Sequence, residues 1–212
     1  MLLCYITDRT QFPGDESARR RQLLDKIAEA AGSGVDYIQL REKDLPTREL
    51  EGLAQTAVQM IRQNSRSRTR LLINSRTDVA IACGADGVHL RSNDISPSEI
   101  RQMWLKSAAG ESTRPVIGVS CHTVEEVVRA ASEQASFVVF GPVFEKKDNQ
   151  HARLTGMTAL KEACSQRIPV LALGGITFEN AGACVEAGAA GLAAIRLFQE
   201  RVIAGVVEKL RG

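Results

Sequence analysis

The residues at the end of the second apolar run carry the densest chemistry in the chain. Gln39, Arg41 and Lys43 alternate there with Leu40 and Glu42. Because side chains alternate between the two faces of a strand, the amide and the two cations project from one face. Arginine offers a bidentate fork and lysine a mobile point charge, a combination that suits a phosphorylated or pyrophosphorylated ligand. Taken alone, the stretch also fits a solvated strand end with a charged turn.

Polar side chains follow three further apolar runs. Asn74 either donates to a ligand or caps its own turn. Asp94 fits a ligand of Mg²⁺ that carries pyrophosphate, and it equally fits a cap for a helix near Ser96 or a bond within the local turn. Ser120 and His122 are two residues apart and therefore face the same side. His122 suits an acid or base near neutral pH, and a helix-capping or supporting role is the alternative.

The elements that must position these residues alternate along the chain of 212 residues. Short β-branched runs occur at 2–6, 35–40, 71–73, 87–90, 116–119, 137–140, 170–173 and 191–195. Amphipathic stretches with helical spacing lie between them, as at 20–31, 48–62, 124–133 and 179–187. Alternating strands and helices imply parallel pairing through right-handed crossovers.

Eight such units predict an α/β protein with a single (β/α)8 TIM barrel, formed by one domain over residues 1–212. A doubly wound open sheet is the alternative, but no G-x-G-x-x-G follows the first strand. Glycine phrases at 31–36, 83–87 and 187–191 suit helix ends, because glycine readily adopts the left-handed conformation that stops a helix. Active sites of such barrels lie at the carboxyl ends of the strands, where all the polar residues above are expected to meet.

The glycine pair Gly174-Gly175 precedes a helix that is expected to begin near Thr177. Glycine allows backbone N–H groups to approach an anion, and the start of a helix adds a favourable dipole. The end of the eighth run, at Ala194 and Ile195, converges on this pair in a barrel, where these loops often bind phosphate. We therefore predict a phosphate cradle, with a tight turn as the alternative.

Composition excludes several classes of function. The chain is 44% hydrophobic and 25% charged, and its net charge of +2 without a long basic run gives no nucleic-acid footprint. No apolar run approaches the roughly 20 residues that span a bilayer. Five scattered cysteines lack metal-ligand spacing and fit buried thiols in a reducing cytoplasm. We expect a cytoplasmic protein with small-molecule partners and no nucleic-acid or membrane partner; a homodimer is left open.

Six ordered motifs resemble those of one known family. They are Q-L-R-E-K, L-L-I-N-S-R-T-D-V-A, G-A-D-G-V-H-L, I-G-V-S-C-H-T-x-E-E, F-G-P-V-F and A-L-G-G-I-T-x-x-N. Together, from residue 5 to about 195, they are similar to thiamine-phosphate synthase and its TenI-type relatives. The synthase joins a thiazole phosphate to the methylene of hydroxymethylpyrimidine pyrophosphate and releases pyrophosphate with Mg²⁺. The resemblance implies this activity, these substrates and Mg²⁺ as the cofactor.

The resemblance also implies roles for individual residues. The pyrimidine and its pyrophosphate are implied to contact Gln39, Arg41, Lys43 and Asn74. Ser120 matches a serine beside the pyrimidine, and Asp94 matches a metal ligand. Gly174 and Gly175, with the backbone near Ile195, match the thiazole-phosphate site. A departing pyrophosphate is stabilised by cations and metal rather than by a nucleophile. The catalytic candidates are Arg41, Lys43, Ser120 and His122.

Three departures distinguish this chain from the synthase pattern. Ser75 stands where the synthase has an aspartate, so one metal carboxylate is missing. The synthase's Thr-x-Thr-Lys loop is replaced by residues 145–148, E-K-K-D, in which Lys147 or Lys146 is left to bind pyrophosphate. Arg196 replaces a small residue after the eighth strand.

Two alternatives to the synthase remain at this stage. Thiazole tautomerase, a relative without pyrophosphate chemistry, uses a histidine that matches His122, and its F-G-x-V-F-E phrase is close to residues 140–145. Synthases also tend to have that histidine, and four retained residues favour the synthase: Arg41, Lys43, Asn74 and Asp94. The other alternative is a non-catalytic, regulatory binder of thiazole or thiamine phosphates.

Overall fold

The strands of this protein close into a barrel. The computed structural model describes residues 1–65, 69–107, 114–145 and 154–212. Within them, parallel strands pair in sequence order and β1 also pairs with β8, which confirms the (β/α)8 barrel. The strands are β1 (Leu2–Ile6), β2 (Tyr37–Leu40), β3 (Arg70–Asn74), β4 (Gly87–Arg91), β5 (Val116–Cys121), β6 (Phe137–Phe140), β7 (Val170–Leu173) and β8 (Gly191–Ala194).

Helices cover the outside of the barrel. They are α1 (Glu16–Gly32), α2 (Thr47–Asn64), α3 (Thr77–Cys83), α4 (Pro97–Leu105), α5 (Val124–Ser132), α6 (Gly156–Cys164), α7 (Phe178–Glu186), α8 (Arg196–Gln199) and α9 (Ile203–Arg211), with a short 3-10 helix at Arg9–Gln11. Ser96 begins α4 in a reciprocal capping box with Glu99, so Ser96 rather than Asp94 caps this helix. None of the described helices combines the length and apolarity needed to cross a membrane.

Aspartates before β2 and β4 fix the register at the amino ends of the strands. Asp36 Oδ2 accepts a hydrogen bond from Leu3 N at 2.7 Å, and Asp86 Oδ2 accepts one from Leu71 N at 2.8 Å. Each bond ties an incoming strand to the strand before it. Two of the three glycine phrases, at 31–36 and 83–87, therefore specify register as well as helix ends. This also explains why β2 begins at Tyr37, two residues after the predicted start, because Asp36 serves as this clamp.

Two apolar layers lie on opposite sides of the strands. The outer layer packs strands against helices, and the inner layer fills the barrel with Cys4, Ile6, Leu72, Val116, Phe137, Val139, Leu171 and Ala193. Tyr37 stacks on Phe137 in this interior with ring centroids 4.7 Å apart. Interior positions nearer the carboxyl ends of β2 to β5 are instead polar: Gln39, Asn74, His89 and Ser120. The barrel interior thus changes from an apolar floor to a polar mouth at the carboxyl ends of the strands.

Candidate active site

Gln39 and Asn74 form an amide pair inside the mouth of the barrel. Gln39 is buried, and its Nε2 donates to Asn74 Oδ1 at 2.8 Å across the parallel strands β2 and β3. The side chain of Asn74 therefore bonds to the neighbouring strand inside the barrel mouth instead of capping its own turn. Each amide keeps further donor or acceptor capacity, which is suited to the nitrogen atoms of a heterocycle.

Arg41 and Lys43 follow the amide pair at the end of β2, the first half-buried and the second exposed. The pKa of Lys43 is lowered, first by the charge of Arg41, then by partial burial and by the charge of Arg91. Cations are therefore close enough to repel one another at this rim. Glu42 between them is buried and bonds to Arg9, which agrees with the predicted alternation of faces.

A buried ion pair holds this loop in place. Arg9 is 3% exposed and Glu42 5%, and Arg9 Nη1 lies 3.2 Å from Glu42 Oε2. Thr7 Oγ1 donates to Glu42 Oε1 at 2.5 Å and accepts from Arg41 N at 3.0 Å. The carboxylate of Asp44 accepts hydrogen bonds from Nη1 and Nη2 of Arg9, at 2.7 and 2.8 Å. Thr7, just after β1, thus fixes the backbone at Arg41, and Arg9 fixes the side chain of the next residue, Glu42. Sequence reasoning missed this pair, because Arg9 resembles an ordinary turn residue.

Asp94 lies at the rim with Ser75. Its Oδ2 accepts from Ser75 Oγ and from Arg91 N, both at 2.8 Å, and its Oδ1 lies 3.0 Å from Arg91 Nη2. Burial alone raises the pKa of Asp94, but these hydrogen bonds and the charge of Arg91 bring it below the ordinary value. Asp94 is therefore a carboxylate at neutral pH, and the proposed bond within the local turn is present.

Asp94 can contribute one carboxylate to a Mg²⁺ site that is completed by substrate phosphates and water. Among the residues that the structure describes, no three His, Cys, Asp or Glu side chains form a group that could hold a metal. Mg²⁺ commonly binds one or two carboxylates and completes its octahedron with substrate phosphates and water. Ser75 adopts φ 55°, a left-handed conformation that non-glycine residues adopt mainly at strained or functional positions, and its Oγ reaches Asp94.

His89 lies buried inside the barrel and forms a hydrogen bond with Ser120. His89 Nε2 and Ser120 Oγ are 2.9 Å apart, and the buried Nδ1 of His89 has no partner within the described part of the chain. Burial, with the charge of Arg41, lowers the pKa of His89 to about 4. The imidazole is therefore neutral at pH 7 and orients the hydroxyl of Ser120. Sequence reasoning did not include His89 among the site residues, although its place two residues before Arg91 on the same strand face was an available signal.

His122 lies at the rim beside β6. It is exposed, its Nδ1 lies 2.5 Å from Gly141 O, and its backbone N donates to Glu126. Thr123 caps α5, so His122 does not. Because Nδ1 is bonded to the backbone, proton transfer by this ring would fall to Nε2. Cys121 is buried in the outer layer, pointing away from His122 as the alternation predicts.

The glycine pair lines a separate cavity of about 440 Å³ at the ends of β7 and β8. Gly174 has φ 99° and Gly175 φ 61°, and a Cβ on Gly175 would lie 2.4 Å from Glu145 O. Asn180 Nδ2 donates to Gly175 O at 2.8 Å and so fixes the loop that leads into α7. Ile195 lines the same cavity, as expected from the convergence of the two loops.

Two arginines, Arg196 and Arg201, and two acids, Glu145 and Glu200, also line this cavity. Its suitability for an anion therefore depends on the amides of the glycine pair more than on net side-chain charge. The structure thus brings together Gly174, Gly175 and Ile195. On the same rim, β1 and β6 separate this cavity from the ends of β2, β3 and β5, which hold Gln39, Arg41, Asn74 and Ser120. Lys147 lies outside the described residues.

Comparisons with known proteins show which family the chain resembles. The family model for thiamine monophosphate synthase matches residues 3–198. A putative thiamine-phosphate synthase of Geobacter sulfurreducens is 40% identical over 91% of this chain and 84% of its own length. Putative thiamine-phosphate synthase 2 of Aquifex aeolicus is 35% identical, over 92% of this chain and 96% of its own.

Solved structures extend the comparison to three dimensions. Thiamine phosphate pyrophosphorylase of Pyrococcus furiosus superposes with a TM-score of 0.79 at 29% identity, covering 99% of this chain and 93% of that one. A 3-hexulose-6-phosphate synthase shares the fold at 17% identity with a TM-score of 0.67.

The cavity predicts where an anion binds. Crystals grown with sulfate should show the ion within hydrogen-bond reach of the amides of Gly174 and Gly175. Gly175→Ala should lose this ion because its Cβ would collide with Glu145 O. Gly182→Ala is the matched control, since a Cβ there meets nothing within 4 Å. Sulfate bound only at other places in the wild-type protein would contradict the assignment.

The buried histidine predicts how stability depends on pH. The pKa of His89 falls from 6.5 in the unfolded chain to about 4 in the fold, so the unfolded state takes up the proton first. The stability due to neutral His89 is complete above pH 6.5 and declines towards pH 4, by about 3 kcal/mol in total. Urea unfolding at pH 7.5 and 4.5 should show a smaller acid loss for His89→Gln than for the wild type. Equal acid losses in the wild type and in His89→Gln would refute the burial argument.

Proposed function

The chain belongs to the thiamine monophosphate synthase family, and we propose that it condenses hydroxymethylpyrimidine pyrophosphate with a thiazole phosphate to give thiamine phosphate and pyrophosphate. The observation that carries this proposal is the presence of two kinds of subsite on one barrel mouth. The amide pair Gln39 and Asn74 and the cations Arg41 and Lys43 suit a heterocycle with a pyrophosphate tail. The cavity at Gly174-Gly175 suits a second, phosphorylated ring. We infer that a single domain over residues 1–212 carries out the whole reaction.

In this reaction the methylene carbon of the pyrimidine exchanges its bond to pyrophosphate for a bond to the thiazole nitrogen. The bond from the pyrimidine methylene to the pyrophosphate oxygen breaks, and its electron pair leaves with that oxygen. The thiazole nitrogen supplies the electron pair of the new carbon–nitrogen bond. No proton has to move in either event, so the protein's task is to align the two rings and to stabilise charge on the departing group.

The pyrimidine subsite is assigned to residues that converge at the ends of β2, β3 and β5. Gln39 and Asn74 would bind the ring, and Ser120, oriented by neutral His89, would lie beside it. Arg41 and Lys43 would contact the pyrophosphate, because an anion relieves the repulsion that lowers the pKa of Lys43. We assign Lys147 to the same group on the family resemblance.

The thiazole phosphate is assigned to the neighbouring cavity. The amides of Gly174 and Gly175 and the backbone at Ile195 would bind its phosphate, with positive charge from Arg196 at the cavity wall. Asp94 would bind Mg²⁺ together with pyrophosphate oxygens. The ion would supply further neutralisation of the leaving group.

Single substitutions separate the synthase from the tautomerase. Arg41→Ala removes a cation from the leaving group and should lower kcat/KM for thiamine phosphate formation roughly 10²–10³-fold. His122→Ala should lower it much less, because no proton transfer is required of His122. Arg48→Ala, an exposed arginine at the start of α2, is the matched control and should be close to wild type.

The tautomerase hypothesis predicts the opposite effects of these two substitutions. A tautomerase handles no pyrophosphate, so Arg41→Ala would affect it little, whereas His122→Ala would remove its acid or base. If the wild-type protein interconverts thiazole isomers without forming thiamine phosphate, and only His122→Ala stops this, the proposed function is wrong. Binding of thiamine phosphate without turnover of either substrate would instead identify a non-catalytic binder.

A further inference from the structure

Arg91 is the last residue of β4 and lies at the mouth of the barrel. It shares a strand face with His89, which lies inside the barrel, because side chains two residues apart point the same way. It pairs in register with Ser120 on β5. Its side chain is nevertheless 67% exposed, so the guanidinium reaches the solvent at the rim rather than the apolar floor.

Arg91 is bound to the carboxylate that is assigned to Mg²⁺. Its Nε and Nη2 lie 3.1 and 3.0 Å from Asp94 Oδ1, and its backbone N donates to Oδ2 at 2.8 Å. The side chain of Asp94 is only 15% exposed, and Ser75 Oγ takes a further position on Oδ2. A metal that approaches Asp94 must therefore compete with a cation that the chain itself supplies.

Arg91 also belongs to the positive cluster of the rim. Its charge contributes to the lowered pKa of Lys43, after Arg41 and partial burial. Geometry connects the same positions: Asp94, the partner of Arg91, accepts from Ser75, and Asn74 next to Ser75 accepts from Gln39 at the end of β2. Of the three cations on this side of the rim, Arg91 alone is shown with a side-chain carboxylate partner in the described residues. The guanidinium half of this ion pair faces solvent, where ion pairs contribute little to stability, so it can exchange the carboxylate for another anion at small cost.

We propose that Arg91 is an anion-binding residue of the pyrophosphate subsite that gives this protein affinity for pyrophosphate without a metal. The planar fork of arginine matches two oxygens of a phosphate group. When Arg91 turns from Asp94 to the pyrophosphate, the carboxylate becomes accessible to Mg²⁺, so the anion and the metal bind cooperatively. This inference rests on the proposed function, because it assumes that the rim binds the pyrophosphate of the substrate.

Calorimetry with inorganic pyrophosphate in the presence of EDTA tests the proposal. The wild-type protein should bind, and Arg91→Gln should bind about tenfold more weakly or worse, which is the usual scale for losing one charge-assisted hydrogen-bonded contact. Arg91→Lys, which keeps the charge without the fork, should be intermediate. Arg76→Gln is the matched control, since Arg76 lies between β3 and α3 and also forms an ion pair with an aspartate, Asp78.

A second titration, with Mg²⁺ alone, gives the opposite direction of change. Arg91→Gln should bind Mg²⁺ more tightly than the wild type, because Asp94 loses its competing cation. General damage to the fold would weaken the binding of both ligands. Opposite changes in the affinities for pyrophosphate and for Mg²⁺ therefore identify a specific role of Arg91. Equal pyrophosphate affinity of the wild type and Arg91→Gln in EDTA overturns the proposal, as does a wild-type protein that binds pyrophosphate only with Mg²⁺.

An assay of thiamine phosphate formation tests the proposed function independently of the role of Arg91. Formation of thiamine phosphate by the wild-type protein, together with unchanged pyrophosphate affinity in Arg91→Gln, would remove Arg91 from the subsite and leave the synthase in place. Absence of thiamine phosphate formation would remove the synthase itself, whatever the calorimetry shows.

Discussion

Closure of the parallel sheet is the constraint on which the rest of this structure depends. Pairing of β1 with β8 removes the sheet edges and places every strand's carboxyl end on one rim. A slip of one residue would turn the interior side chains of a strand outwards. The clamps at Asp36 and Asp86 therefore matter to the site at the far end of the barrel, because they fix which residues of β2 and β4 face the mouth.

At the rim, the protein holds like charges together in advance of any ligand. The repulsion among Arg41, Lys43 and Arg91 is visible in the lowered pKa of Lys43. The buried pair of Arg9 and Glu42 keeps the backbone beside Arg41 from relaxing. Such a pair is expensive to break because one charge would be left buried without its partner. The rim is thus prepared for an anion, which is the form that electrostatic stabilisation of a leaving group requires.

Much of this arrangement could be predicted from the sequence. Periodicity identified the strands, and the rule that barrel sites lie at carboxyl ends brought Gln39 and Asn74 together from 35 residues apart. Arg9 and Glu42 could not be found in this way, since a buried ion pair between two loops leaves no periodic signal. Arg91 was likewise invisible, because an arginine at a strand end resembles a solvated residue until its contact with Asp94 is seen. His89 was within reach of the period-two rule, but the neutral state that suits it to orient Ser120 depends on burial.

The central claim is that one mouth joins a pyrimidine pyrophosphate to a thiazole phosphate. The most direct measurement supplies both substrates with Mg²⁺ and follows thiamine phosphate, pyrophosphate and the thiazole isomers in the same reaction. The account predicts that thiamine phosphate and pyrophosphate accumulate in equal amounts, that neither forms when one substrate is omitted, and that the thiazole isomers do not interconvert without the pyrimidine. Isomer interconversion without thiamine phosphate, or pyrophosphate release that does not depend on the thiazole, would contradict it.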